Sequence, residues 1–266
     1  MQVRGEPGRP QLVRLSRRNA LGVLLAGGVL AACQENPVTG RTQLMLVSDE
    51  QLAAMGAQAW TELKAQTPLD PDARVQARIQ RLGAKVAEAS GGDPTAGGWE
   101  FVVFDSPEIN AFVLPGGKVG FYRGLVDLAG SDDELAAVMG HEVGHVTARH
   151  AAERLSQQMG VQAAVTVASL LLHEQFGQWS DEVAGALGVG AMYGVILPYS
   201  RAHEHEADRL GLGYMARAAY NPEGAPIFWQ RMMALSADRS QPLALLSTHP
   251  SDAERLERLR QEIAKL

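Results

Sequence analysis

The stretch His141-Glu142-Val143-Gly144-His145 constrains this chain more than any other, because its spacing is useful only on a helix. At about 100° per residue, positions i and i+4 share one face, so both imidazoles can reach one metal ion. Glu142 is offset from them and can act as general base on a water at that ion without taking a coordination position. The flanking residues support the helix. Ser131-Asp132-Asp133-Glu134 offers an N-cap, a capping-box partner and acids at the positive helix end. Leu135 to Met139 then leads into the motif, which predicts a buried helix reaching about Ser156. Gly140 and Gly144 weaken such a helix by roughly 1 kcal/mol each relative to alanine, so something must pack closely on them, either a second helix or a substrate backbone.

A two-histidine centre needs a third protein ligand and leaves one position for water. Pro198-Tyr199-Ser200-Arg201 opens a later helix, with Ser200 as its expected cap, and this helix carries His203-Glu204-His205-Glu206-Ala207-Asp208. Glu204 and Asp208 share a face. The natural assignment puts Glu204 on the metal and Asp208 behind a ligating histidine, where it fixes the tautomer. Glu206 falls on another face and is expected in solvent. His203 and His205 stay open as alternative ligands, although neither has a partner at helical spacing. His249, next to Pro250 in a loop, either caps that loop or reaches the metal. His150 lies nine residues beyond His141, which on a continuous helix turns it to the opposite side and gives it a structural role. Arg201 and His249 are candidates for stabilising an oxyanion.

Around these helices the pattern is mixed. Ser48-Asp49-Glu50-Gln51 caps a helix to about Gln66, and Val75, Ile79, Leu82 and Val86 mark another. Trp99 to Phe104 reads as a strand. Ala111 to Leu114, Pro115-Gly116-Gly117 and Lys118 to Tyr122 read as a hairpin. Its residues Asn110, Ala111, Phe112 and Val113 could pair with a substrate strand beside the metal. A short helix starts at Arg123 and stops at Gly130. Residues 161–197 alternate apolar patches with a polar island, each patch too short to span a bilayer, and are expected to fold as a mobile cover near the centre. The tail ends in a charged helix from Ala253. The expected fold is α+β and mainly helical, with a small antiparallel sheet beside the motif helix.

The start of the chain reads as an address. Residues 1–18 hold five arginines and one acid, and Ala20 to Ala32 are thirteen uncharged, largely apolar residues, against about 20 for a membrane-crossing helix. Leu30-Ala31-Ala32-Cys33 looks like a bacterial lipobox, with Cys33 as the lipid-bearing residue. Ser16-Arg17-Arg18 resembles a twin-arginine signal, though Asn19-Ala20-Leu21 fits the remainder of that signal only in part. The expected division is an export signal over 1–32, a tether over 33–47 containing Asn36-Pro37-Val38-Thr39-Gly40, and one metallopeptidase domain over 48–266. Gln34, where an aspartate would signal inner-membrane retention, favours the outer membrane. A net charge of −6 and a pI near 5.7 argue against nucleic acid as a partner.

Taken together, His141 to His145, Glu204 to Asp208, Leu197-Pro198-Tyr199-Ser200-Arg201 and Asn110 to Gly117 resemble the HtpX-like and CAAX-prenyl-protease-like zinc metallopeptidases. Within that family of gluzincins the likeness is in particular to the periplasmic BepA-like and LoiP-like lipoprotein branch, which the Asn36 to Gly40 stretch after the lipobox also resembles. The resemblance implies one Zn2+ per chain on His141, His145 and Glu204, Glu142 as base and Asp208 behind the ligands. It also implies that His249 can sit on the zinc as a regulatory ligand. The implied function is a lipid-anchored endopeptidase of the bacterial cell envelope that cuts unfolded or misassembled envelope proteins. The alternative is a noncatalytic, chaperone-like assembly factor built on the same fold. The tetratricopeptide-repeat domain of BepA has no counterpart in these residues, which sets its partner contacts apart.

Overall fold

The computed structural model describes residues 32–91, 98–176, 197–237, 243–249 and 253–266. Residues 1–31 of the expected export signal over 1–32 and residues 177–196 of the expected cover over 161–197 lie outside them, while residues 161–176 of that cover are part of a long helix. Two short strands, β1 (Cys33–Glu35) and β2 (Thr42–Leu44), precede the helices α1 (Asp49–Gln66) and α2 (Ala73–Ala89). Three strands follow, β3 (Glu100–Phe104), β4 (Ala111–Leu114) and β5 (Lys118–Tyr122), then the short α3 (Arg123–Leu128). The remainder is helical: α4 (Asp132–Thr147), α5 (His150–Phe176), α6 (Leu197–Arg217), α7 (Gly224–Ala237), α8 (Ala244–Thr248) and α9 (Ala253–Ile263). The fold is mainly helical α+β, as the residue pattern implies.

The motif helix α4 is the axis. Ser131 Oγ accepts from the Glu134 N–H at 3.2 Å, and every residue from Glu134 to His145 is buried. The Glu134 carboxylate does not close the expected capping box. It is held instead by Arg231 of α7, at 3.1 and 3.3 Å. Helices α2, α6 and α7 all pack on α4. The tightest approach is that of α6. A Cβ added at Gly140 would lie 2.8 Å from the Gly211 oxygen, and one at Gly144 would lie 2.8 Å from the Ala207 oxygen. Of the two readings of these glycines, the second helix is the one the fold adopts.

The sheet order is β3-β5-β4, with β4 antiparallel and β3 parallel to β5, so the sheet is mixed where an antiparallel one is expected. The β4–β5 hairpin turns through Gly116 and Gly117, both at positive φ (85° and 71°), a backbone that favours glycine. One edge of the sheet is β4, which packs on α4 and so lies alongside the motif.

Further expectations fail here. Residues 33–47 are no free tether, because β1 and β2 form an antiparallel hairpin with Cys33 opposite Leu44. The motif helix stops at Thr147 rather than Ser156. Arg149 takes φ 57°, a left-handed turn after which α5 starts in a new direction at His150. Helix α6 begins at Leu197, so Ser200 lies inside its first turn and is no cap. Among the described residues no helix is long and apolar enough to cross a membrane.

Candidate metal centre

One turn of α4 projects His141 and His145 from the same face, and α6 brings Glu204 across to meet them. The two Nε2 atoms are 3.0 Å apart. Glu204 Oε2 lies 3.2 Å from His141 Nε2, and Oε1 lies 3.3 Å from His145 Nε2. His249, at the end of α8, adds its Nδ1 2.9 Å from Glu204 Oε2 and 3.0 Å from His141 Nε2. One ligand atom from each of His141, His145, Glu204 and His249 falls within 4.8 Å of all the others. All these side chains are largely out of solvent.

The donor set is that of a zinc ion, two or three imidazoles with a carboxylate. Its geometry also calls for a cation. Ring nitrogens facing each other at this distance repel unless a proton or a metal ion lies between them. Glu142 makes the same point: the residue is 1% exposed, and its Oε1 has no hydrogen-bond partner among the described residues. A buried carboxylate oxygen left over in this way suits a residue whose partner is a reacting water.

Asp208, one turn beyond Glu204, accepts from His141 Nδ1 at 2.8 Å. This fixes the proton, since an ionised carboxylate only accepts. Nδ1 carries the hydrogen and Nε2 keeps its lone pair for the cluster. Burial pulls the His141 pKa down, but the adjacent Glu204 and Asp208 outweigh it and raise it to about 9, so the pocket favours positive charge at this point. Burial dominates at His145 and pushes its pKa down to about 3, which keeps that ring neutral. Burial also opposes ionisation of Asp208, yet Arg255 and His141 hold its carboxyl well below the usual range.

Nothing in the sequence singles out Arg255. Its guanidinium donates to both Asp208 oxygens at 2.8 Å and lies 3.9 Å from the Trp229 ring centroid, while the residue is 2% exposed. His150 is not on the far side of the motif helix. The break at Arg149 returns it against the centre, with its Nδ1 2.8 Å from His145 Nδ1. Glu206 is not in solvent, because its Oε2 accepts from His150 Nε2 at 3.0 Å. His203 lies outside the ligand cluster, 3.0 Å from Glu153 and stacked on His150. His205 lies outside it too, against Arg258. Arg201 is exposed and does not line the cavity beside the cluster.

That cavity, about 500 Å³, is floored by Glu142, His145, Glu204 and His249. One wall is the β4 segment with Asn110, Ala111, Phe112 and Val113, and Pro37 and Val38 of the N-terminal hairpin also border it. A strand edge beside a cluster of metal-binding type can take an extended peptide by main-chain pairing.

Residues 73–263 match the profile described as Peptidase family M48. The chain is 38% identical to the mitochondrial metalloendopeptidase OMA1 of Schizosaccharomyces pombe over 60% of its own length and 45% of that protein. It is 30% identical to OMA1 of Saccharomyces cerevisiae over 96% of itself and 76% of the relative. To the beta-barrel assembly-enhancing protease of Yersinia pestis it is 31% identical, over 86% of itself and 47% of that protein. The chain thus spans about half the length of several curated relatives it matches.

Proposed function

The chain belongs to peptidase family M48, whose metalloproteases use zinc, and from that premise we propose that it is a zinc-dependent endopeptidase with His141, His145 and Glu204 as ligands. One observation carries the reading: the three donors converge, with His145 and Glu204 at the floor of a cavity, while Glu142 Oε1 lacks a hydrogen-bond partner among the described residues and β4 offers an edge. When bound, zinc supplies a Lewis acid that polarises a carbonyl and acidifies a water. The rest falls to the chain's own groups. Glu142 takes the proton from the attacking water and returns it to the leaving amine. Asp208, held by Arg255, keeps His141 in the tautomer that binds. The β4 edge aligns an extended polypeptide across the floor. Position and exposure give Arg201 no part in this scheme. His249, which contacts Glu204 and lies 3.5 Å from Glu142, would complete the ligand set at rest and would have to give way to a substrate.

We further propose a place for the enzyme in the bacterial cell envelope, lipid-anchored through Cys33 and facing the periplasm, with the outer membrane favoured and unfolded or misassembled envelope proteins as substrates. The similarity to the Yersinia pestis protease supports this reading, as does the exposure of Cys33. The mitochondrial relatives are similar in sequence, and the reading of the compartment is drawn from residues 1–33. Fractionation tests it: Cys33→Ala should move the protein from membranes to the soluble fraction, and retention in membranes would refute the lipid anchor.

The activity has its own experiment. Glu142→Gln should bind zinc as tightly as the parent while cleavage of casein falls by about 10²-fold or more, the scale of a lost acid–base group. His249→Ala should keep zinc and cut faster than the parent. Casein cleavage surviving in a pure Glu142→Gln preparation would end the assignment, whereas full complementation of a deletion strain by Glu142→Gln would favour the noncatalytic assembly factor.

A further inference from the structure

On the Nδ1 side of His145 the N-terminal hairpin delivers Arg41 between Glu153 of α5 and Glu206 of α6. Its Nη1 and Nη2 donate to the two Glu153 oxygens at 2.7 and 2.5 Å, while Nη2 and Nε reach Glu206 Oε2 at 3.1 and 3.3 Å. That same Glu206 oxygen accepts from His150 Nε2 at 3.0 Å, and His150 Nδ1 meets His145 Nδ1 at 2.8 Å. Hydrogen-bond chemistry gives this chain a direction. An ionised carboxylate only accepts, so His150 carries its hydrogen on Nε2 and presents a bare Nδ1. His145 must then donate from Nδ1, which leaves its Nε2 lone pair turned to the cluster.

The hairpin is also tied to the end of the motif helix. Fully buried Asn36 donates to the Thr147 oxygen at 3.2 Å, and Gln43 donates to the Ala148 oxygen at 2.7 Å. These carbonyls belong to the last residue of α4 and to its C-cap, where no intrahelical donor is left for them. Gln43 also reaches Glu153 at 2.8 Å.

We infer that Arg41 is a positioning residue of the metal centre: through Glu206 and His150 it sets the tautomer and ring orientation of His145. The inference rests on the reading of His145 as a ligand. Its counterpart at His141 is Asp208, held by Arg255, so each imidazole is set by a carboxylate that an arginine holds, directly at His141 and through His150 at His145. Residues 33–47 are then a working part of the centre. Arginine suits the task because its planar fork spans two carboxylates at once, which an ammonium does less well.

The test uses the full chain and reads zinc affinity by competition with a chromophoric chelator, at a temperature where the metal-free variants are folded by circular dichroism. Arg41→Ala should weaken zinc binding about 10- to 100-fold, the usual scale for outer partners of a ligand. Arg41→Lys, which keeps the charge and guards against misfolding, should also lose affinity, but less. His150→Phe, which keeps a ring of similar size against His203, should weaken binding too. Combined with Arg41→Ala it should be no weaker than alone, since both changes cut one chain. Wild-type affinity in both Arg41 variants, or losses that multiply in the double variant, would overturn the inference. His145→Ala separates the two levels: if it binds zinc like the parent, the ligand reading falls and takes the inference with it. Loss in His145→Ala with none at Arg41 overturns the inference alone.

Discussion

Arg255 shows how much of this centre depends on single residues remote in sequence. It is buried, bonded to both Asp208 oxygens and stacked on Trp229, whose neighbour Phe228 is also buried. Removing one partner of such a pair leaves a charge in the interior without compensation, at a cost of about 3–5 kcal/mol. We expect Arg255→Ala to lower the urea midpoint accordingly and to weaken zinc binding, because Asp208 would no longer hold the His141 ring. Arg255→Lys should recover only part of each loss, since a point charge cannot reproduce the two-oxygen fork. An unchanged urea midpoint in Arg255→Ala would contradict the assignment. None of this is readable from the tail, where Arg255 sits among Glu254, Glu257, Arg258 and Arg260 like any solvated charge. A contact across 47 residues leaves no local pattern.

At the scale of elements, the pairing of α4 with α6 sets the distance between the histidines and Glu204. The contact is backbone against backbone at Gly140, Gly144, Ala207 and Gly211. A methyl at Gly144 would meet the Ala207 oxygen at 2.8 Å, so the helices must move apart. Overpacking of this kind costs typically about 1–3 kcal/mol, which more than cancels the roughly 1 kcal/mol that alanine gains in helix propensity. Gly144→Ala should therefore lower the melting temperature and reduce zinc affinity together; a more stable variant with full affinity would show that the approach can be relaxed. This part of the fold is legible in the sequence, because a capped apolar run and paired i, i+4 side chains are local signals. The stop at Ala148 and Arg149 is not, since neither residue is a usual breaker. The left-handed Arg149 costs of order 1 kcal/mol and is held by tertiary bonds, among them its 2.7 Å pair with Asp49. With the stop hidden, helical spacing puts His150 on the wrong side. The N-terminal hairpin escapes for a similar reason: strands of three residues are too short to show alternation, and Asn36 to Gly40 looks like any turn.

At the scale of the whole molecule, the centre is where separate segments meet. Helix α4 supplies His141, Glu142 and His145; α6 supplies Glu204 and Asp208; α8 ends in His249; α9 and the N-terminal hairpin supply the two arginines. An ion bound there is a tie between all of them, and it binds the folded chain because unfolding scatters its ligands. Such binding stabilises by RT ln(1 + [L]/Kd), about 4 kcal/mol when free metal exceeds Kd a thousandfold. For a domain of this size each kcal/mol is worth roughly 2–4 °C, so stripping the metal should lower the melting temperature by about 10 °C. The fall should be as large in Glu142→Gln, which keeps every ligand, and smaller in His249→Ala, which gives up one. His145→Ala should respond little to chelation because it starts close to the stripped state. A parent protein that melts at the same temperature with and without its metal would mean that the ion is peripheral to the fold, and the converging geometry of His141, His145 and Glu204 would then need another explanation.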